Sequence, residues 1–157
     1  MIRLKFIIFK IISIILLTSS LSYAELVKPN NGIEPFQVVQ IQLRSLKQND
    51  KPKKDNGIEQ TWEFAHPNNQ KYTGPLDRFK TMIKGKSYEM LLDHLDHNII
   101  KVKSDDLIVR FEVTVLDKNK TYYKFNWIVE KYTSEGPLEG CWLTTVVSVP
   151  ISLGSSI

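Results

Sequence analysis

The chain has 157 residues, 42% of them hydrophobic and 24% charged, a formal net charge of +4 and a single cysteine, Cys141. This is one domain's length with enough apolar side chains for a core, and a lone cysteine excludes an internal disulfide. Arg3, Lys5 and Lys10 are the only charges in the first 24 residues. Without that segment the charge is +1, which argues against a nucleic-acid-binding or anionic-membrane surface.

Residues 1–24 read as a secretory signal peptide. A basic start is followed by an apolar run over 11–17, broken only by Ser13, and Ser22-Tyr23-Ala24 places small residues at −3 and −1 of a cut after Ala24. The apolar stretch over 6–17 falls short of the roughly 20 residues that a membrane span needs. The expectation is therefore an exported protein, periplasmic or secreted, with no stable membrane span after cleavage.

Residues 25–34 are polar and rich in turn formers, and read as an N-terminal arm before a single domain over 35–150. Pro35 stands where a helix starts, and Phe36, Val39, Leu43 and Leu46 recur at spacings of three and four, one buried helical face. Residues 51–57, KPKKDNG, read as a solvated loop despite their three lysines. Ile58, Trp62 and Ala65 fall on one face of a second helix that Pro67 ends. A third helix follows over 73–85, with Pro75 in its first turn and Leu76, Phe79 and Ile83 or Met82 inward. Residues 87–97 read as a short helical or irregular connection.

The period then changes to two, and strands are predicted over 98–103, 107–116, 121–131 and 141–149. Leu107, Val109, Phe111, Val113 and Val115 form one apolar set, and Tyr123, Phe125, Trp127 and Val129 another. The alternate positions hold Arg110, Glu112, Thr114, Lys124, Asn126 and Glu130. One face is buried and one is wet, as in an antiparallel sheet. Asp117-Lys118-Asn119-Lys120 makes a hairpin turn, and residues 151–157 read as a tail. The predicted fold is α+β: three N-terminal helices on a curved antiparallel sheet of about four strands.

The stretch NDKPKKDNGIEQTWEFAHPNNQKYTGPLDRF, from Asn49 to Phe79, holds Asn49-Asp50, then Asp55 with Gly57-Ile58-Glu59, Phe64-Ala65 with Pro67, and Thr73-Gly74-Pro75-Leu76 with Arg78-Phe79. Near the end stands Gly140-Cys141-Trp142 with Thr144. These motifs resemble the family known as domain of unknown function 4864, found in bacteria and plants. His66 departs from the family's serine, and Thr145 stands where an acid is expected. The resemblance implies a cystatin-like cone of the ketosteroid-isomerase-like, or nuclear transport factor two-like, kind. It implies no particular activity, because that fold hosts isomerases, dehydratases, transport factors and inert interaction modules.

An isomerase of such a fold needs a carboxylate base in its pocket. No acid falls on the inward strand positions, and Glu112 and Glu130 point the other way, so no catalytic residue is assigned. DHLDH, residues 93–97, offers His94, His97, Asp93 and Asp96 as metal ligands on one helical turn. In an extended segment i and i+3 point apart, and the site dissolves. No metal and no cofactor is assigned. Asn119-Lys120-Thr121 matches the N-glycosylation pattern, which is common by chance. Cys141 begins an alternating strand and reads as a small core side chain packing inward with Leu143 and Val147, without a neighbouring base to activate it.

The aromatic residues suggest a cavity between helices and sheet, with Trp62, Phe79, Tyr88, His94, Trp127 and Trp142 as pocket-lining candidates. The expected function is non-enzymatic: an exported domain that takes a small apolar ligand or a protein partner in that pocket. The alternatives are an isomerase- or lyase-type enzyme working through Tyr88 or His94, and a structural module that forms a homodimer through the polar sheet face.

Overall fold

The computed structural model describes residues 25–155, so the expected signal peptide lies outside the described residues. The fold is α+β, with four α-helices and a five-stranded antiparallel sheet among the described residues. None of the helices described is long and apolar enough to cross a membrane.

Helix α1 (Pro35–Lys47) opens with proline in its first turn, and the Glu34 backbone N–H donates to Gln37 Oε1 at 2.8 Å, half of a capping box. It buries Val38, Val39, Gln42, Leu43 and Leu46. Phe36, expected on this face, is 44% exposed and touches Phe111 edge-on at its margin. The buried stripe takes in Val38 and Gln42, each one position before Val39 and Leu43, and so is rotated away from Phe36.

Helix α2 (Asn56–Glu63) begins inside the stretch read as a loop. Asp55 takes a left-handed conformation with φ 63°, and the Gly57 N–H donates to the Asn49 carbonyl at 2.8 Å. A Cβ on Gly57 would collide with the Ser45 carbonyl oxygen of α1, so only glycine allows this approach. Ile58 is buried, Trp62 is half-buried and Ala65 lies beyond the helix end.

Pro67 does not end the helical region. It opens a further helix, α3 (Pro67–Thr73), where a missing N–H costs nothing. Helix α4 (Leu76–Ile83) buries Phe79 and Ile83, with Leu76 and Met82 half-buried. A 3₁₀ turn (Glu89–Leu91) leads to the sheet.

The strands are β1 (Asp96–Ser104), β2 (Ile108–Leu116), β3 (Thr121–Lys131), β4 (Trp142–Val147) and β5 (Ile151–Ser155). They are ordered β1-β2-β3-β4, and β5 also pairs with β3. The two last strands share the long β3: β4 pairs with its C-terminal half, Trp127 opposite Val147, and β5 with its N-terminal half, Tyr122 opposite Gly154. The segment expected as a tail thus supplies the fifth strand through residue 155. Its side chains are all exposed, so it shows no burial alternation to read.

The core matches the alternation. Val109, Phe111, Val113 and Val115 of β2 and Phe125, Trp127 and Val129 of β3 are all buried, with Phe111 opposite Trp127 and Val113 opposite Phe125. Leu107, just before β2, is 48% exposed. Asp117 Oδ1 closes the β2–β3 hairpin by accepting from the Asn119 and Thr121 N–H groups.

Candidate functional site

The α2–α3 connection is stitched to the edge of β4. The Thr144 N–H donates to the Phe64 carbonyl and the His66 N–H to the Thr144 carbonyl, both at 2.8 Å. Asn69 Nδ2 adds a third bond to the Thr144 carbonyl at 3.2 Å. This pairing holds helices over one end of the sheet and leaves a cavity of about 80 Å³ between them.

Burial separates the floor of the cavity from its rim. Gln42, Thr61, Trp127 and Thr144 lie at most 5% exposed at its base. Leu46, Ala65, Phe79, Ile83 and Leu91 form apolar walls, and the half-buried Asn69, Thr73, Met82, Tyr88 and Val147 stand at the opening.

The floor is a hydrogen-bonded polar group in an apolar setting. Gln42 Oε1 accepts from Thr144 Oγ1 at 2.7 Å and from Trp127 Nε1 at 3.1 Å, and Gln42 Nε2 donates to the Thr61 carbonyl at 3.1 Å. Thr61 Oγ1 in turn donates to the Gly57 carbonyl. An amide nitrogen has two hydrogens, and Gln42 uses one here. The second has no hydrogen-bond partner among the described residues. At the rim, Tyr88 Oη donates to the Val147 carbonyl at 3.3 Å and keeps its lone pairs as acceptors.

Tyr88 is the one lining residue that titrates, and burial raises its pKa, so the phenol is protonated at neutral pH. An ionised guest would find no opposite charge among the lining side chains, and an unpaired buried charge is costly. The chemistry of the wall therefore suits an uncharged molecule. The volume suits a small one, since sites for drug-sized ligands run to about 300–1,000 Å³.

Of the six residues suggested by sequence, Phe79, Tyr88 and Trp127 line this cavity. Trp62 stands one layer behind, its ring 4.9 Å from that of Phe79. Trp142 is elsewhere, in a shallow groove beside Phe36 and Phe111, with Lys131 Nζ 5.2 Å from its ring centre. His94 is 2% exposed and absent from the wall. The sequence reading missed Gln42 and Thr144. The sign of Gln42 is a polar residue inside an apolar stripe, between Val39 and Leu46, and that of Thr144 is its place in the closing motif.

His94 and His97 do meet, though not as metal ligands on a helical turn. His94 precedes β1, Asp93 has a left-handed φ of 54°, and the bend brings His94 Nε2 within 2.7 Å of His97 Nδ1. Asp93 and Asp96 point to solvent, and no group of three or more metal-ligating side chains occurs among the described residues. Cys141 is 1% exposed, its thiol pushed up by burial, with Sγ 3.4 Å from Asn31 Oδ1 of the N-terminal arm. Thr145, where the sequence resemblance leads to the expectation of an acid, is half-buried and donates to the Ile128 carbonyl, while its neighbour Thr144 reaches the cavity.

No family model matches the chain, and no curated protein or solved structure is significantly similar to it.

Proposed function

We propose that this protein is an exported, non-enzymatic binding domain for a small, uncharged, largely apolar molecule that carries one hydrogen-bond acceptor. The observation that supports it best is the polar floor beneath the apolar walls of an uncharged cavity, where Gln42 has a spare N–H. A carbonyl or ether oxygen would meet Gln42 Nε2, and the carbon skeleton would lie against Leu46, Phe79, Ile83 and Leu91. An isomerase or lyase reaction would need a base in the wall. Tyr88 is held protonated by burial, and His94 lies outside the cavity.

We also propose membership of the domain of unknown function 4864 family. What supports it is a structural role for each motif. Asn49 Oδ1 accepts from the Ile58 N–H at 3.1 Å, and Asp50 Oδ1 accepts from Asn49 Nδ2 and the Asp55 N–H at 2.8 and 2.9 Å. Together with Gly57 these bonds fix the α1–α2 turn. Thr73 and Phe79 line the cavity, and Thr144 of the closing motif completes its floor. At the departing position, His66 accepts from the Asn68 N–H through Nδ1 at 3.1 Å, the capping task a serine hydroxyl performs.

A ligand-detected NMR screen of small neutral ketones, ethers and alcohols tests the binding reading. Binding that Gln42→Leu weakens and that shifts the Leu91 and Ile83 methyl resonances is expected. Failure of every such compound to shift these methyls would overturn it.

A further inference from the structure

The His94–His97 pair lies outside the cavity, and ligand binding makes no use of it. Nδ1 of His94 is 2.7 Å from the Leu91 carbonyl oxygen, and its Nε2 is 2.7 Å from His97 Nδ1. A carbonyl only accepts, so His94 Nδ1 carries the hydrogen. Nε2 of the neutral ring is then an acceptor, and His97 Nδ1 is the donor. This arrangement tolerates a proton on His97 Nε2, because that imidazolium still donates through Nδ1. A proton on His94 Nε2 is accommodated as well when His97 carries its own hydrogen on Nε2 and accepts through Nδ1; only when both rings are protonated do two N–H groups face each other.

The surroundings oppose protonation. Burial has the largest effect on both rings and holds His94 down at about 4, with His97 also lowered. The Leu91 carbonyl favours a proton on His94 and Asp96 attracts one to either ring, whereas the two rings repel each other's charge, Lys47 in the last turn of α1 repels a proton on either and Arg44 does so at His97. From β2 the residue opposite His97 is the uncharged Val115.

The pair fastens a segment that builds the cavity. Leu91, whose carbonyl His94 holds, is a wall residue, and Tyr88 stands three residues earlier at the rim. The Asp93 N–H donates to the carbonyl of Leu46, another wall residue, at 3.0 Å, and the Leu95 N–H to the Leu116 carbonyl at 2.8 Å. With both rings protonated, two positive charges meet at a 2% exposed position beside Lys47, and a His94 ring that moves to reach water leaves both its partners.

We propose that the His94–His97 pair is an acid-sensitive latch on the cavity: protonation of both rings breaks the bond between them, releases His94 from Leu91 and loosens the wall carried by Tyr88 and Leu91. The consequence for binding rests on the pocket reading, whereas the opening of the segment does not. The test is amide hydrogen exchange at Asp93 and Leu95, corrected for intrinsic pH dependence, alongside xenon-induced shifts of the Leu91 and Ile83 methyls. Both are measured at pH 7 and pH 4.5 in the full protein and in His94→Asn, which keeps a donor and an acceptor but does not titrate. Protection in the wild type should fall at least about tenfold, since one proton changes an opening equilibrium by up to about tenfold per pH unit. The xenon shifts should weaken with it, and in His94→Asn, where only His97 and His66 still titrate, both should change much less. Protection that is unaltered in the wild type, or lost equally in the variant, would overturn the latch. Opening without any change in xenon occupancy would overturn its link to the cavity. Absence of xenon shifts already at pH 7 would instead count against the pocket reading, and the exchange data would still decide the latch. Should His94→Asn not fold, the wild-type His94 Cε1 titration replaces it. A midpoint coinciding with the loss of protection supports the latch, and titration near the ordinary 6.5 with protection intact overturns it.

Discussion

Thr144 Oγ1 lies 2.7 Å from Gln42 Oε1, a hydrogen bond that joins β4 to α1 across 102 residues of sequence. With Trp127 Nε1 on the same oxygen, it ties helix, central strand and outer strand together at the base of the cavity. Gln42→Leu would leave the Thr144 hydroxyl and the Thr61 carbonyl without this partner, at a cost of about 1–3 kcal/mol. Thr144→Val keeps the Trp127 bond to Gln42 and should cost less, about 1 kcal/mol. Urea unfolding of the two single variants and the double variant should show a coupling of at least about 0.5 kcal/mol. Strict additivity would mean that the bond contributes nothing of its own.

The α1–α2 turn depends on close backbone approach. Gly57→Ala would drive a methyl group into the Ser45 carbonyl, and neither backbone can yield without disturbing the Gly57 N–H bond to Asn49. The expected loss is about 1–3 kcal/mol, the usual range for overpacking. Asn49→Ala should cost a similar amount, about 1–3 kcal/mol, by leaving the Ile58 N–H unsatisfied. A thermal melt of either variant within a degree of the wild type would contradict this account of the turn.

His66 caps α3 only while Nδ1 is unprotonated. His66→Ala should destabilise the domain by about 1 kcal/mol and His66→Ser by less, because the serine hydroxyl restores the cap. The three histidines also set an acid limit. His66, His94 and His97 all have folded pKa values below the usual 6.5, chiefly through burial. The unfolded chain therefore binds more protons than the folded one as pH falls below about 6.5. Their contribution is complete above that pH and is lost progressively toward about 4, the value for His94. Glu59, held down by Lys53 and then Lys80, begins to lose its contribution as pH falls below its unfolded value of 4.5, and Asp55, held down by its hydrogen bond to Lys84, below 3.8. Urea midpoints should be level between pH 7 and 8 and fall steadily from pH 6 to pH 4. A midpoint that rises on acidification would contradict these assignments.

Cys141 behaves as a core side chain. At 1% exposure, with a thiol raised by burial, it should react with a disulfide reagent at pH 8 far more slowly than in urea. Rapid stoichiometric labelling of the native protein would refute this.

Most of the fold is legible in the sequence where one face of an element is buried and the other is wet. The bounds of β3 are those read from the alternation of Tyr123, Phe125, Trp127 and Val129. Two elements escape this logic. Helix α3 begins at a proline that also reads as a stop, and it buries none of its residues. Strand β5 is exposed throughout, and only its pairing with β3 defines it. The candidate site was half legible. Phe79, Tyr88 and Trp127 are large aromatic residues near the core, whereas Trp62, His94 and Trp142 share that character and lie behind or away from the cavity. Gln42 and Thr144 were hidden because a polar side chain in an apolar stripe gains meaning only from its partner, and theirs are distant in sequence.

The central claim is that the cavity accepts uncharged molecules with one acceptor oxygen. It is tested most directly by NMR titration of the protein with a small ketone and with the carboxylate and ammonium compounds of the same size. The ketone should shift the Leu91 and Ile83 methyls and the Gln42 side-chain amide, with the charged analogues at least about tenfold weaker, a difference of about 1.4 kcal/mol. Equal or tighter binding of either charged analogue at these residues would contradict the account.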